Sequence, residues 1–398
     1  MYLLMVILGI FAGLSDIAIV QSLGQTIAEI FIRIFKCLSL PIIILSIIVT
    51  LSNYCSTGVM KTVWRRTMCY TLVTTFLAAG LSFVLYQLIP PTTLMNSHQI
   101  ISTPTQSIAY LDHLSSIIPD SIFSPFLENK VLSVLFLGIV VGLAIRFIPD
   151  ETAKQTITQF FKGAHGLLMV ITRWVIAIVP IGLFGFIVTT VVQLRGGSDI
   201  KSLGQYLLIV ILSNLIQGFV LLPLWLKWKG IAPFAMMKQM LPALSLAFFS
   251  KSSVGTLPLT METAESQLKI RPEISRFVLP LCTSINMNGC AAFIFTTVVY
   301  VMQSHGIHLS FASMAVWVFI ATIAAIGNAG VPMGCFFLSM SLLASMSVPI
   351  TLMGLILPFY SVIDMIETAL NVWSDACVVK VVDDGISDNS VSDLQEAN

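Results

Sequence analysis

Runs of about 20 apolar residues, the length a helix needs to cross a hydrocarbon core, recur along this chain at 1–20, 25–53, 67–90, 130–149, 165–193 and 203–226. A soluble fold with so large a core would need a charged shell, roughly 25% of its residues. Only 10% are charged here and 57% are hydrophobic, with a mean hydropathy of +0.94. The expected fold class is therefore all-α and polytopic in a membrane. A formal net charge of +1 and the lack of a basic stripe argue against a nucleic-acid partner. The opening "MYLLMVILGIFAGLSDIAIV" has neither a basic n-region nor a clear small-residue cleavage site, so it reads as a first span and not a signal peptide.

Basic residues orient the spans. Lys61, Arg65 and Arg66 follow the second run, and no Lys or Arg occurs from there to Lys130. That long loop is expected outside. Arg146, Lys154, Lys162, Lys227, Lys229, Lys238 and the segment 262–276 then lie inside, against which only Arg33, Lys36, Arg195 and Lys201 run. Both termini are expected in the cytoplasm of an integral plasma membrane protein (the inner membrane, if bacterial). The acidic, Ser-rich tail 381–398 reads as disordered.

Beyond Lys227 the runs shorten. Residues 241–250 and 254–261 flank "SKSSVGTLP", 277–303 is interrupted by "NMNG", and 313–346 by "GNAGVPMG". In hydrocarbon an irregular backbone survives only where protein or water satisfies its N–H and C=O groups. Two interrupted hairpins, each followed by a polar-containing helix, make a pseudo-repeat of 241–303 against 313–380. Such paired interruptions mark the binding site of a secondary transporter. Half-helix N-termini favour anionic groups, and freed carbonyls can hold a cation.

The last apolar run, 351–379, contains "VIDMIETALNVWSD". On a helix Asp364, Thr368, Asn371 and Asp375 fall on one stripe, with Glu367 at its flank. An ionised carboxylate at mid-bilayer costs about 2.5–3.5 kcal/mol on insertion scales. The apolar spans of this half carry no Lys or Arg, and Lys251 at a hairpin tip is the nearest base. The natural partners are mobile ones: a cation, and a ligand with an ammonium group.

Other chemistries fit less well. Asp364 and Asp375 would lie about 16 Å apart on one helix, too far for an aspartyl-protease dyad. The five histidines sit at loops or span ends, so no enzyme is expected. Seven cysteines in no C-x-x-C pattern read as small packing residues, with no disulfide or metal site implied. An ion channel stays open as a rival from another class, because re-entrant carbonyls also build pores.

"SKSSVGTLPLT", "LPLCTSINMNG", "AAIGNAGVPMG" and "DMIETALNVWSD" resemble, in order and spacing, the four signature regions of the dicarboxylate/amino acid:cation symporter family. "FIRIFKCLSLPIIILSIIV", "SIFSPFLENKVLSVLFLGIVVGLAI" and "IVPIGLFGFIV" resemble its scaffold helices. The resemblance implies eight transmembrane helices, two re-entrant hairpins, inverted repeats, a homotrimer and an elevator-type cycle. It also implies that 1–66 and 130–226 are mainly scaffold and trimerisation helices, and that 67–90, 203–226 and 241–380 form a transport domain. Asp364 is implied to hold a substrate ammonium beside Thr368. Asn371 and Ser253, with Ser252 and Cys290 nearby, are implied to meet a carboxylate, and the backbone from Val331 to Gly334 to close over it. Asp375, Asn371 and the backbone near Cys282 and Asn286 resemble one sodium site; carbonyls near Ser284, Ala325, Ile326 and Asn328 resemble a second. No cofactor is implied. The partners are a small amino acid, coupling sodium ions (protons being the alternative) and membrane lipid.

Four departures refine that expectation. Where acidic-substrate members carry an arginine, this chain has Glu367, which would repel a substrate side-chain carboxylate unless protonated. "ETALN" instead resembles the serine/threonine-transporting branch. The aspartate of the family's "NMDG" is Asn288, followed after the glycine by Cys290. Val73 replaces a hydroxyl near Tyr70 and Thr74, and Tyr360 replaces an acidic residue one turn before Asp364. The expectation is a sodium-driven symporter of a small neutral amino acid with fewer coupled cations than acidic-substrate members. A glutamate/aspartate symporter is the first alternative, and a basic or polyamine-like substrate facing Glu367 the second.

Overall fold

The computed structural model describes residues 2–15, 17–52, 58–91, 118–128, 130–195, 200–328 and 333–386. Most of the expected outside loop, the tip residues 329–332 with Val331, and the tail from 387 lie outside that set. Among the described residues all regular structure is helical. The helices are α1 Tyr2–Leu14, α2 Ala18–Ser52, α3 Gly58–Leu88, the single turn α4 Ser124–Leu127, α5 Val131–Arg146 and α6 Glu151–Arg195. Then follow α7 Ile200–Ile216, a π-helical turn Gln217–Leu221, α8 Leu222–Trp228, α9 Pro233–Ser250 and α10 Ser253–Ser266. The chain closes with α11 Pro272–Ile285, α12 Asn288–Ser304, α13 Phe311–Ile326, α14 Gly334–Ser345 and α15 Thr351–Asp384.

Among the described residues, four stretches are long and apolar enough to cross a membrane: Met60–Leu88, Lys201–Trp228, Pro272–Ser304 and Thr351–Asp384. The bent pair Glu151–Val175 and Ala177–Thr189 makes a fifth. Leu40–Ser52, Ser133–Arg146, Phe311–Ile326 and Gly334–Ser345 are shorter apolar helices.

The ends of the short helices follow local chemistry. α9 and α11 begin at Pro233 and Pro272, where a missing N–H has no intrahelical partner to lose. α9 stops at Lys251, in the left-handed region at φ 55°, which reverses the chain. Ser252 then caps α10, accepting from the Gly255 N–H at 3.0 Å. Ser310 caps α13 in the same way through the Ser313 N–H at 3.1 Å. Met333, also left-handed at φ 63°, leads into α14. The expected interruptions at "SKSSVGTLP", "NMNG" and "GNAGVPMG" are thus where helices end.

The helices sort into two packed groups. α1, α2, α5 and α6 pack on one another, with α2 against α6 as their largest contact. α12 sits at the centre of the other group, touching α3, α7, α13, α14 and α15. Every residue of α12 from Asn288 to Met302 is buried, so a helix that would pass for a membrane span meets protein on all sides. α9, α10 and α11 close around the C-terminal part of α15. The two groups meet where α6 packs on α15 and α2 on α14.

Two sequence expectations change. The last helix does not stop at Lys380 but runs to Asp384, with Val381, Val382 and Asp383 buried, so the first residues of the expected disordered tail are ordered. Arg271 holds that end through Asp383 Oδ1 at 2.7 Å and the carbonyls of Asp383 and Ile386; Arg66 reaches the Gly385 carbonyl. Guanidinium groups on terminal carbonyls cap a helix where its dipole is negative. The stretch 203–226, expected in both groups, packs with α12 and α3, where Tyr206 and Thr297 hydroxyls lie 2.8 Å apart.

Candidate functional site

The stripe on α15 faces inward. Asp364, Glu367, Thr368, Asn371 and Asp375 are all buried, Asp375 completely. Each meets a different chain break. At the upstream end, Asp364 Oδ2 accepts from the Met333 N–H at 3.1 Å, the residue that opens α14. Thr368 turns its hydroxyl to the Asp364 carbonyl at 2.7 Å. Lys251, at the tip between α9 and α10, donates to Ser361 Oγ at 2.6 Å, three residues before Asp364. The only base near this stripe in sequence reading is therefore also near it in space. Ser253, the first residue of α10, is buried beneath the same tip, and Ser252 is committed to its cap.

Glu367 occupies the middle. Tyr360, two helical turns upstream, donates to its Oε2 at 3.2 Å, so the residue that departs from the family's acidic pattern is the one that holds Glu367. The other oxygen, Oε1, has no hydrogen-bond partner among the described residues. Gly289 is needed here: a Cβ on it would lie 2.8 Å from the Glu367 Cα and 2.8 Å from Asn214 Oδ1. Only a bare backbone lets α12 approach α15 this closely.

Asn371 ties the stripe to the first break. Its Oδ1 accepts from the Gly289 N–H at 2.9 Å, and its Nδ2 faces the Met287 and Cys290 sulfurs at 3.6 and 3.4 Å. Asp375 Oδ1 accepts from Asn286 Nδ2 at 2.9 Å, and Ser374 Oγ from the same nitrogen at 2.9 Å. Asp375 Oδ2 is fully buried and without a hydrogen-bond partner among the described residues. An ionised oxygen so placed is costly unless something charged meets it.

A network that sequence reading missed fills the space behind Asn286. Asn288 Nδ2 donates to Asn286 Oδ1 at 3.0 Å and Ser374 Oγ at 2.6 Å. Thr74 Oγ1 donates to Asn286 Oδ1 at 3.0 Å. Gln217, at the first position of the π turn, donates through Nε2 to both the Thr74 carbonyl and Asn288 Oδ1 at 3.2 Å. A π turn widens the helix and re-aims the residue that opens it. The signal was present: Ser213, Asn214 and Gln217 are polar in an otherwise apolar run, at i, i+1 and i+4.

The residues expected at a second cation site are only partly gathered. Asn328 is buried beside α12, its Nδ2 3.9 Å from the Met287 sulfur. Ala325 O already accepts from the Asn328 N–H at 3.1 Å. Ser284 and Ile326 are half-buried. Gly334 gives Asn328 its place, since a Cβ there would fall 1.7 Å from Asn328 Oδ1.

The cysteine expectation is corrected. Cys290 and Cys335 are joined as a disulfide, with Cα atoms 5.5 Å apart and 45 residues between them in sequence. They stand in the first turns of α12 and α14, the helices that follow two of the breaks, and only the fold brings those turns together. Cys290 thus remains at the site, but its sulfur is turned to Cys335, Asn328 and Asn371.

A family model described as the sodium:dicarboxylate symporter family matches residues 1–384. The chain is 28% identical over 406 residues to a Caenorhabditis elegans protein named as a sodium-dependent excitatory amino acid transporter, glt-4, with 89% of this chain and 81% of that one covered. It is 26% identical over 386 residues to neutral amino acid transporter B(0) of Oryctolagus cuniculus, covering 87% and 71%. With the proton/sodium-glutamate symport protein of Geobacillus stearothermophilus it shares 25% over 358 residues, covering 87% and 84%.

Proposed function

Because the chain belongs to the sodium:dicarboxylate symporter family, we propose that it couples the uptake of a small neutral amino acid, serine- or threonine-like, to a sodium gradient across a plasma membrane. Asp364 takes the substrate ammonium. Asn371 and Ser253 take its carboxylate, at the N-terminal end of α10 where helix dipoles favour an anion. Asp375 and Asn371, with the backbone near Cys282 and Asn286, hold sodium, a hard cation suited to carboxylate and carbonyl oxygens. Carbonyls of the α13 end, with Asn328, contribute to a second sodium site.

The substrate reading is carried by one observation. Glu367 is buried one turn from Asp364, and its described partner is the neutral Tyr360 hydroxyl. A substrate carboxylate entering there meets the Glu367 carboxyl, while Lys251 is engaged at Ser361, a turn before Asp364. The relative named neutral amino acid transporter B(0) supports this reading; the relatives named for glutamate and excitatory amino acids support the rival, an acidic substrate.

A low cation count is supported by Gln217. Its amide already donates to Thr74 O and Asn288 Oδ1, the oxygens a further cation would need, and Asn288 brings no charge. Coupling follows from differential binding: sodium at Asp375 favours the arrangement in which Asp364 and Asn371 are set for substrate, and the two ligands reinforce each other. In the elevator reading, α1, α2, α5 and α6 are the scaffold of a homotrimer, and the helices around α12 move as the transport domain.

The test is uptake into proteoliposomes of labelled serine, threonine, alanine, glutamate, aspartate and lysine, with and without an inward sodium gradient, at acidic and neutral pH. Sodium-driven serine or threonine uptake that excess glutamate leaves unchanged supports the proposal. Glutamate uptake that strengthens in acid replaces it with the acidic-substrate reading. Ion flux with no amino-acid dependence would make the protein a channel.

A further inference from the structure

Two sulfurs, a carboxylate and the Asn328 side-chain amide converge where the first turns of α12 and α14 meet α15. The ligand atoms of Cys290, Cys335 and Glu367 all lie within 4.8 Å of one another, and all three residues are buried to 2% exposure or less. Glu367 Oε1 and Asn328 Oδ1 have no hydrogen-bond partner among the described residues. The Asn328 amide nitrogen stands 2.8 Å from the Cys290 sulfur and 3.2 Å from that of Cys335. Rotating that amide by half a turn exchanges nitrogen for oxygen at the same place.

We propose that the reduced Cys290–Cys335 pair, with Glu367 and with Asn328 Oδ1 as fourth donor, is a binding site for a thiophilic d10 cation of the zinc class. Two sulfurs and two oxygens make the four-donor set such an ion takes. Soft sulfur ligands select it against sodium, which prefers oxygen alone. The site is separate from the sodium ligand Asp375, which lies eight residues further along α15, about 12 Å at helical rise, and shares only Asn328 with the second sodium site proposed above.

The bridged form is closed to the metal. Opening it takes two electrons and two protons from a dithiol such as dithiothreitol, which is itself oxidised to its disulfide. The cation then displaces the two thiol protons to water and is held by two thiolates and the Glu367 carboxylate. An ion there sits against Asn371 and Glu367, so the metal-bound protein is expected not to load amino acid. That consequence rests on the proposed transport function; the metal site does not.

The experiment uses cadmium as the probe, on the full chain purified in detergent, reduced and freed of reductant. One cadmium per chain should bind, with a sulfur-to-cadmium charge-transfer band. Cys290→Ser and Cys335→Ser should each weaken binding by at least roughly tenfold, as should Glu367→Gln, while Cys69→Ser leaves it unchanged. Melting curves and gel filtration establish that each variant is folded. The proposal is overturned by the absence of a band in the reduced protein, by a band that survives both cysteine changes, or by mass mapping that finds the bridge intact after reduction of the native protein. In proteoliposomes cadmium should inhibit uptake by the reduced form only. A protein that binds cadmium as described yet carries no amino acid would remove the transport reading and leave the metal site standing.

Discussion

Asn286 and Asp375 meet across the first chain break, the amide nitrogen of one donating to a carboxylate oxygen of the other at 2.9 Å. The second oxygen of Asp375 is fully buried and has no partner within the described protein. The protein thus orients one oxygen of Asp375 and leaves the other without a donor, which is what the proposed sodium site requires.

Asp375→Asn should therefore act on sodium before it acts on the fold. The asparagine can keep the Asn286 contact but loses the charge, and charge-assisted contacts are worth about 1.5–3 kcal/mol. The sodium concentration for half-maximal uptake should rise by roughly tenfold or more. Uptake titrated against sodium checks this; an unchanged titration with retained uptake would remove Asp375 from the ion site.

Glu367→Arg should move substrate preference toward acidic amino acids. It replaces a buried carboxyl with a group that pairs bidentately with a substrate carboxylate. Aspartate should then compete with serine on the order of tenfold better than in the native protein. Competition uptake gives the answer, and equal competition in both proteins would mean that Glu367 does not read the substrate.

Gln217 offers a sodium-independent test and a sodium-dependent one. Gln217→Ala leaves Thr74 O and Asn288 Oδ1 without their shared donor, at a cost of about 1–3 kcal/mol, which should lower Tm in detergent. Asn288→Asp combined with Gln217→Ser frees those oxygens and adds a charge. Its uptake should depend on sodium with a steeper order than the native protein. An order that stays the same would show that the amide is not standing in a cation's place.

Glycine substitutions separate close packing from helix propensity. Gly289→Ala puts a methyl 2.8 Å from the Glu367 Cα, and overpacking of this kind costs about 1–3 kcal/mol. Gly80→Ala, on α3, meets nothing within 4 Å and should be neutral or stabilising by up to about 1 kcal/mol. Paired melts decide it; a Gly289→Ala protein as stable as Gly80→Ala would mean that α12 has room to retreat from α15.

Arg271→Ala tests the clamp on the last helix. It strips a buried carboxylate, Asp383, of its ion-pair partner and two carbonyls of their donor. Leaving a buried group without its donor costs about 1–3 kcal/mol, so expression and Tm should both fall. Arg271→Lys should recover only part of the loss, because one ammonium cannot reproduce the fork.

What could be read beforehand was what period and punctuation encode. The stripe Asp364, Thr368, Asn371 and Asp375 follows from helical spacing, and the breaks at "NMNG" and "GNAGVPMG" from Gly and Pro in apolar runs. Contacts between breaks were not legible in the same way. Cys290 and Cys335 meet only because α12 and α14 both begin beside α15, and nothing in a separation of 45 residues announces that. Gln217 was overlooked for a related reason: a single amide in a span looks like a tolerated polar residue until a π turn aims it at Asn288. In the sequence Tyr360 stands in place of an acid; in the fold its hydroxyl holds the acid that is present. The extension of α15 to Asp384 was hidden because "VVDD" reads as tail until Arg271 arrives from another helix.

The enclosure of α12 has a consequence for how such a chain is made. A segment with no lipid-facing side gains nothing from lipid, and Asn288 would weigh against its partitioning alone. Its wrapping is supplied by α3 and α7, synthesised before it, and by α13, α14 and α15, synthesised after. The packed position of α12 is therefore complete only once α15 has been made and has closed on it. Truncations within α15 should accordingly fail at membrane integration, earlier than any failure of transport.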